Sequence, residues 1–195
     1  MLPCNLTPFV FGAKVCSRRP PAPEMTVIVR GTFGLRPGEP LSLLTGLNDQ
    51  GALGAEEHAE DDDDRQGECF YGGDFADYKQ NAEVLLRGSC HAPGGKAVTE
   101  CPVLFRVGSW SKMLRVIGPR VWTEKLLGAA ISEPAPFVTM PLSYRNAFGG
   151  PGYAKNPVGK GYKTAELPTV EQAGDILRAR SDRPEPASFG PLSPA

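Results

Sequence analysis

The strongest constraint on this chain is the density of glycine and proline between residues 136 and 161, PFVTMPLSYRNAFGGPGYAKNPVGKG. Five glycines, at positions 149, 150, 152, 159 and 161, share this stretch with four prolines. Glycine reaches positive φ at little cost and proline fixes φ near about −65°, so the stretch specifies one backbone shape. Because it contains no His, Cys, Asp or Glu, we expect that shape to be recognised by a partner rather than to perform chemistry.

The same two residue types set the fold class. The chain has 23 Gly and 20 Pro among 195 residues, about a fifth of the total, whereas about 12% is usual. Long helices are disfavoured at this density, since proline removes a backbone donor and glycine loses more conformational entropy on folding. We therefore predict a mainly β fold: an antiparallel β-sandwich or partly open barrel with long Gly/Pro-rich loops and little helix.

Charge and cysteine content exclude several functional classes. The 21 basic and 22 acidic residues leave a net charge of −1, which provides no attractive field for nucleic acid or an anionic membrane. The sequence shows no signal peptide and no run of about 18 apolar residues, and its five cysteines contain no C-x-x-C pair. The predicted location is the cytoplasm, with reduced thiols and no membrane contact.

Alternating apolar residues predict the strands. The clearest is Met25–Leu35, and the residues that alternation places on its apolar face are Met25, Val27, Val29, Phe33 and Leu35. Glu83–Ala92 and Ala97–Val107 are predicted to form a hairpin, with Pro102 placing the second arm at an edge or a bulge. Further strands are predicted at Phe9–Cys16 and Ala135–Leu142, and one more is predicted from Lys112–Gly118 and Arg120–Thr123, bent at Gly118-Pro119.

Two regions lack any period. Residues 48–67 include four consecutive aspartates, which repel one another, so a disordered acidic loop is predicted there within a β domain spanning 1–166. Residues 167–195 are predicted to form an extended C-terminal segment, the start of a missing second half. Thr169-Val-Glu-Gln matches a helix capping box, although Gly174 would interrupt that helix.

No group of residues matches a catalytic or metal-binding pattern, so no catalytic residue, metal or cofactor is predicted. Cys90 and His91 are neighbours on a strand and must point to opposite faces, with Cys90 in the core; Cys90 and Cys101 are expected to face each other across the hairpin. Zinc and calcium spacings are absent, and the glycines before Lys160 do not fit a phosphate loop. Asp74 and Asp77 are expected to accept hydrogen bonds from backbone N–H groups in a turn.

Several stretches, taken in order, resemble the bacterial type VI secretion adaptor or chaperone family known as domain of unknown function 2169. The matching pieces are VIVRGTFGL (27–35), DFADYKQNAEVLLRGSCHAPGGK (74–96), VGSWSKMLRVIGPRVW (107–122), PFVTMPLSYRNAFGG (136–150), NPVGKG (156–161), and LPTVEQAGDI with RPEPASFGP (167–191). The family typically continues beyond the Phe-Gly-Pro segment, so this chain is expected to be a short or truncated member.

The resemblance implies a cytoplasmic, non-enzymatic protein that binds a toxin effector and helps to load it onto the VgrG or PAAR spike. Aromatic and arginine side chains dominate protein interfaces, and the candidates for partner binding are Trp110, Arg120, Trp122, Tyr144, Arg145, Phe148 and Tyr153. Two alternatives stay open from the residues alone: a β-sandwich module for a carbohydrate or other small ligand, and a cysteine hydrolase at Cys90 or Cys101.

Overall fold

The computed structural model describes residues 4–19, 22–45, 51–58, 67–75, 81–126 and 128–192. It divides the chain into two compact units: Met1–Glu57 with Tyr71–Ala82, and His58–Phe70 with Glu83–Ala195. The division does not fall at residue 166, and the segment that follows 166 belongs to the second unit.

Both units consist of strands joined by loops, which confirms the prediction of a mainly β, antiparallel fold with little helix. Across the described ranges there is no α-helix, and the helical turns are two 3-10 segments, Pro93–Gly95 and Tyr144–Asn146. The strand pairs of these residues are mostly antiparallel and do not close into a barrel.

The first unit contains two small antiparallel hairpins. Its strands are β1 (Val10–Arg19), β2 (Ala22–Arg30), β3 (Phe33–Gly34) and β4 (Ser42–Leu43), pairing β1 with β2 and β3 with β4. The predicted single strand Met25–Leu35 is therefore interrupted after Arg30. Gly31 occupies the interruption, and a Cβ there would lie 2.8 Å from Cδ1 of Phe9, so the chain packs too closely for a larger residue.

The apolar face of β2 identified by alternation is exposed to solvent. Its apolar residues, 50–62% exposed, are Met25, Val27 and Val29. The covered face is the other one, where Ile28 pairs with Gly12 and a Cβ on Gly12 would lie 2.4 Å from Cδ1 of Leu53. Alternation separates the two faces of a strand but does not show which one a distant segment covers.

That covering residue, Leu53, comes from the stretch predicted to be an acidic disordered loop. Within 48–67, residues 48–50 and 59–66 lie outside the described residues. Residues 51–58 are described and end in β5 (Glu57–His58), and β6 (Cys69–Tyr71) follows.

A polar cluster in the first unit is centred on Asp74. Its Oδ2 accepts hydrogen bonds from Nη1 of Arg30 and from the backbone N–H of Gly54, both at 2.9 Å, and Oδ1 accepts from the Tyr71 hydroxyl at 2.7 Å. Burial alone would raise the pKa of Asp74, but these three donors outweigh burial and lower it. Asp74 does accept from a backbone N–H group, but that group belongs to Gly54, distant in sequence, and not to its own turn. Asp77 lies outside the described residues.

The second unit contains one three-stranded sheet and several strand pairs. Its further strands are β7 (Ser89–His91), β8 (Glu100–Val107), β9 (Trp110–Ile117), β10 (Trp122–Lys125), β11 (Gly128–Ile131), β12 (Thr139–Pro141), β13 (Phe148–Gly149), β14 (Lys160–Gly161) and β15 (Val170–Gln172). The sheet has the order β15-β9-β8; β7 pairs with β12 and β10 with β11, both antiparallel, whereas β13 and β14 are parallel.

The predicted hairpin of Glu83–Ala92 with Ala97–Val107 is wrong. β8 pairs instead with β9 across a turn at Gly108, and β7 pairs with β12. Alternation shows which residues share a face, but it does not identify the partner strand. The expectation for Pro102 is confirmed, because β8 lies at the edge of its sheet.

The core of the second unit has two clusters. The larger one contains Cys90, Leu114, Val116, Phe137, Met140, Leu142, Val170, Ala187 and Phe189. The smaller one contains Phe148, Leu167 and Leu177. Five of these side chains come from the segment after residue 166. That segment therefore builds the core rather than extending from it, and its capping-box motif forms strand β15 instead of a helix.

Candidate protein-binding surface

One buried side chain, Asn156, ties the Gly/Pro-rich stretch together. Its Nδ2 donates hydrogen bonds to the carbonyl oxygens of Tyr144 at 2.8 Å and Phe148 at 3.0 Å. Its backbone carbonyl accepts from the N–H of Gly150 at 2.9 Å, and its own N–H donates to the carbonyl of Tyr153 at 3.0 Å. Since Asn156 is fully buried, these bonds form away from competing water and define the path of the loop.

The glycines of this loop provide the space that Asn156 occupies. A Cβ on Gly149 would lie 2.1 Å from the Asn156 carbonyl oxygen, and one on Gly159 would lie 2.4 Å from its Nδ2. Neither contact is possible for a real side chain. The close approach requires glycine at both positions, as the sequence pattern indicates for a loop of one shape.

Aromatic rings connect this loop to the smaller core cluster. Phe148 is buried, and its ring meets that of Tyr153 edge to face at a centroid distance of 5.1 Å. The Tyr153 ring in turn lies 5.2 Å from that of Tyr162. Because Tyr153 and Tyr162 are half-buried, this row of rings runs from the interior to the surface and stiffens the loop.

A cleft of about 720 Å³ opens beside the 3-10 turn that carries Arg145. The residues that line it are Glu68, Cys69, Phe70, Arg87, Gly88, Ser89, Met140, Pro141, Leu142, Ser143, Arg145, Asn146, Gly190 and Pro191. They belong to the second unit. The volume is within the range of about 300–1,000 Å³ that is usual for binding pockets.

The chemistry of the cleft is apolar with two guanidinium groups. Arg145 is exposed, and the guanidinium of Arg87 lies 4.8 Å from the centre of the Phe70 ring, a cation–π arrangement. The Glu68 carboxylate is already hydrogen-bonded within the protein, because its Oε1 accepts a hydrogen bond from the backbone N–H of Tyr144 at 3.1 Å. The cleft can therefore bind an apolar segment with nearby acceptor groups.

Tyr144 and Arg145 are neighbours with different surroundings. Tyr144 is half-buried, and burial raises the pKa of its phenol, which stays protonated at neutral pH. Arg145 projects at the cleft. Of the seven residues predicted for partner binding, Tyr144, Arg145, Phe148 and Tyr153 are brought together in this loop.

The side chain of Arg120 is buried and forms its hydrogen bonds within the protein. Its Nη2 donates to the carbonyl of Pro168 at 2.8 Å and to Oε1 of Glu171 at 2.9 Å, and both charged side chains are buried. Burial raises the pKa of Glu171, and the guanidinium beside it opposes that rise. Neither Arg120 nor the buried Phe148 can reach a partner without rearrangement of the core.

The two tryptophans lie apart from the cleft lining. Trp110, at the start of β9, is 48% exposed and meets Phe105 edge to face at 6.1 Å. Trp122, at the start of β10, is half-buried against the smaller core cluster, with the guanidinium of Arg180 5.5 Å from its ring centre.

Sequence reasoning missed Asn156, Phe70 and Arg87. Asn156 stands between Lys155 and Pro157 in a glycine-rich loop, where an asparagine is expected to form a turn at the surface. Phe70 and Arg87 are far apart in sequence and meet only in the folded chain. The feature of the sequence that did indicate this loop is its high density of glycine.

Of the two cysteines considered for a hydrolase, Cys90 is poorly suited to nucleophilic attack. Cys90 is buried in the larger core cluster and His91 is exposed on the opposite face of β7, as predicted. Burial, with a further contribution from the neighbouring Cys101 thiol, raises the pKa of Cys90 to about 11. A thiol with such a pKa is almost fully protonated at neutral pH.

We expect thiol alkylation at pH 7.5 to distinguish these cysteines. The exposed Cys4 should react with iodoacetamide within minutes, whereas Cys90 should react only after denaturation, because it is buried and protonated. Peptide mass spectrometry of timed samples measures both rates. Labelling of Cys90 as fast as Cys4 in the folded protein would favour the hydrolase alternative.

Comparison with protein families identifies the chain at the family level. The model of a family described as "Uncharacterized protein conserved in bacteria (DUF2169)" matches residues 21–195. The chain belongs to this family. Searches of curated proteins and of solved structures returned no match. The description of the DUF2169 family states no function. Among the described residues of this DUF2169 member, no helix has the length and hydrophobicity needed to cross a bilayer.

Proposed function

We propose that this protein is a non-enzymatic adaptor that binds another protein at the cleft beside Arg145. The observation that carries the proposal is the combination of a loop stiffened by Asn156 with an apolar cleft at its edge. A preformed surface loses little conformational entropy when a partner binds, which favours affinity. Arginine and aromatic side chains such as Arg145, Arg87 and Phe70 are typical interface anchors.

The chemistry of the cleft supports binding over catalysis. None of its lining residues is a histidine, and the Glu68 carboxylate is engaged by a backbone N–H group. Cys69 is buried. Its Sγ lies within 4.8 Å of a ring nitrogen of His58, which is not part of the lining, so burial of the thiol is what opposes covalent catalysis at the cleft.

The partner is a toxin effector of a type VI secretion system, and the adaptor helps to load it onto a VgrG or PAAR spike protein in the cytoplasm. The support for this assignment is the ordered set of sequence stretches that resemble that adaptor family.

The test is co-expression of the tagged protein with toxin and spike proteins encoded beside it, followed by affinity capture. We expect Arg145→Ala to reduce capture about tenfold, since loss of an interface arginine commonly weakens binding by more than about 1 kcal/mol. Arg106→Ala is the matched control, because Arg106 is exposed on β8 and does not line the cleft.

Capture that is lost with Arg145→Ala and retained with Arg106→Ala supports the adaptor function. Failure to recover either candidate partner contradicts the type VI assignment. Equal capture by both variants contradicts the location of the binding surface.

A further inference from the structure

A second pocket, of about 450 Å³, is formed where the start of β10 meets the turn after β14. Its lining residues are Trp122, Gly161, Tyr162, Lys163, Thr164, Ala165, Arg180 and Arg183. It shares no lining residue with the cleft beside Arg145. This pocket is called the cationic pocket below because of its charge.

Three of the eight lining residues, Lys163, Arg180 and Arg183, are positively charged, and none is acidic. Acidic groups adjoin the pocket: Glu124 pairs with Arg180, and Glu166, next to the lining residue Ala165, pairs with Lys160. The Asp182 carboxylate accepts hydrogen bonds from two backbone N–H groups at 2.8 Å and interacts electrostatically with Arg183. The chain as a whole carries a net charge of −1, so this concentration of positive charge is local.

The cationic groups are held in place before any ligand binds. Nη1 of Arg183 donates to the carbonyl oxygens of Arg180 at 2.8 Å and Asp182 at 2.6 Å. Its guanidinium lies 5.2 Å from the centre of the Tyr162 ring, and Nζ of Lys163 lies 5.1 Å from the same centre. A guanidinium fixed by its Nη1 and by a ring keeps its remaining N–H groups for a ligand.

The backbone at Lys163 supports the same conclusion. Its φ is +57°, and among the described residues it is the non-glycine residue with positive φ. Such a conformation is uncommon for a lysine and is found preferentially at binding sites. Here it places the ammonium group at the Tyr162 ring, on the rim of the pocket.

We infer that the cationic pocket binds the carboxylates of an acidic segment of the protein partner. Arginine and lysine pair with carboxylates through short charge-assisted hydrogen bonds, and the rings of Trp122 and Tyr162 offer apolar contact to the methylene groups of such a segment. Many phosphate sites also use backbone N–H groups, but here the N–H of Gly161 donates to Oγ1 of Thr164 and that of Tyr162 donates to the carbonyl of Gly149. The inference rests on the proposed function, because it describes the partner of the same adaptor.

Trp122 provides the signal for the test. The protein has two tryptophans, so Trp110→Phe leaves Trp122, in the pocket lining, as the sole tryptophan. Its fluorescence is titrated at low ionic strength with a short capped peptide of alternating aspartate and glutamate. The matched control peptide contains asparagine and glutamine instead, and inorganic phosphate is titrated separately.

The acidic peptide is expected to bind and to be released by added salt, whereas the neutral peptide should not bind. In this background, Lys163→Gln and Arg183→Gln should each weaken binding about tenfold, and Arg106→Gln, outside the pocket, should have no effect. Lys163→Gln keeps the test informative if loss of the Arg183 backbone contacts disturbs the fold. Absence of binding, equal loss with all three variants, or phosphate binding as tight as peptide binding would overturn the inference.

Capture experiments separate this inference from the adaptor function itself. If Lys163→Gln and Arg183→Gln capture the co-expressed partner as well as the unsubstituted protein does, the cationic pocket inference is overturned while the adaptor function stands. If no partner is captured but the acidic peptide binds with the expected sensitivity, the adaptor function fails and the pocket keeps its assigned chemistry.

Discussion

Replacing Glu171 with alanine is expected to lower the free energy of unfolding of the second unit by about 3–5 kcal/mol. The carboxylate lies 2.9 Å from Nη2 of Arg120, and both side chains are buried. Removal of one partner leaves the other as an uncompensated charge in a medium of low dielectric constant, and that state is strongly unfavourable. Urea denaturation followed by near-ultraviolet circular dichroism measures the change.

Two comparisons show whether the buried charge is the cause. The double substitution Arg120→Met with Glu171→Leu should be less destabilising than Glu171→Ala alone, because it removes both charges and keeps the volume filled. Glu100→Ala breaks the partly exposed pair with Arg115 and should cost less than about 1 kcal/mol. A double variant as unstable as the single one would show that lost packing, rather than an unpaired charge, explains the effect.

Replacing Asn156 with alanine is expected to destabilise the second unit by about 2–4 kcal/mol and to loosen the binding loop. The substitution removes the side-chain donor to the carbonyl oxygen of Phe148 and one of two donors to that of Tyr144, which keeps the N–H of Ala147 at 3.1 Å. Each buried acceptor that loses its partner costs about 1–3 kcal/mol. Thermal unfolding measures the stability, and limited proteolysis measures the loosening of residues 143–161.

Its control is the adjacent residue. Lys155→Ala should leave the unfolding midpoint and the proteolysis pattern unchanged, because Lys155 is exposed. Gly149→Ala should reproduce the effect of Asn156→Ala, since its Cβ would lie 2.1 Å from the Asn156 carbonyl oxygen. A stable, protease-resistant Asn156→Ala variant would mean that the glycines and prolines alone hold the loop.

Local rules predicted the fold class but not the strand partners. Gly/Pro density correctly disfavoured long helices, and alternation correctly placed Cys90 inside and His91 outside. The predicted partner strand of β8 is wrong, because strand pairing depends on contacts between residues distant in sequence. The exposure of the apolar face of β2 cannot be predicted for the same reason: Leu53, which packs at Gly12 on the other face, carries no local signal of that contact.

The candidate surface was predictable where it depends on backbone chemistry. The 136–161 stretch indicated a loop of one shape, and Arg145 lies at the edge of the cleft beside it. Arg120 is predicted as an interface residue because arginine is common at interfaces. Its partner Glu171 lies in a segment with no apparent period, so the sequence does not show that Arg120 is buried. The ring of Phe70, which meets Arg87, was missed because that contact forms only on folding.

Hydrogen exchange read by mass spectrometry tests the central claim most directly, with the protein measured alone and in the captured complex. In the free protein, the amides of Gly150 and Gly159, which donate to the Asn156 carbonyl, should exchange slowly because the loop is already formed. In the complex, added protection should appear at residues 140–146, beside the cleft. Fast exchange throughout 143–161 in the free protein, or added protection confined to residues outside the cleft lining, would contradict a preformed binding surface at Arg145.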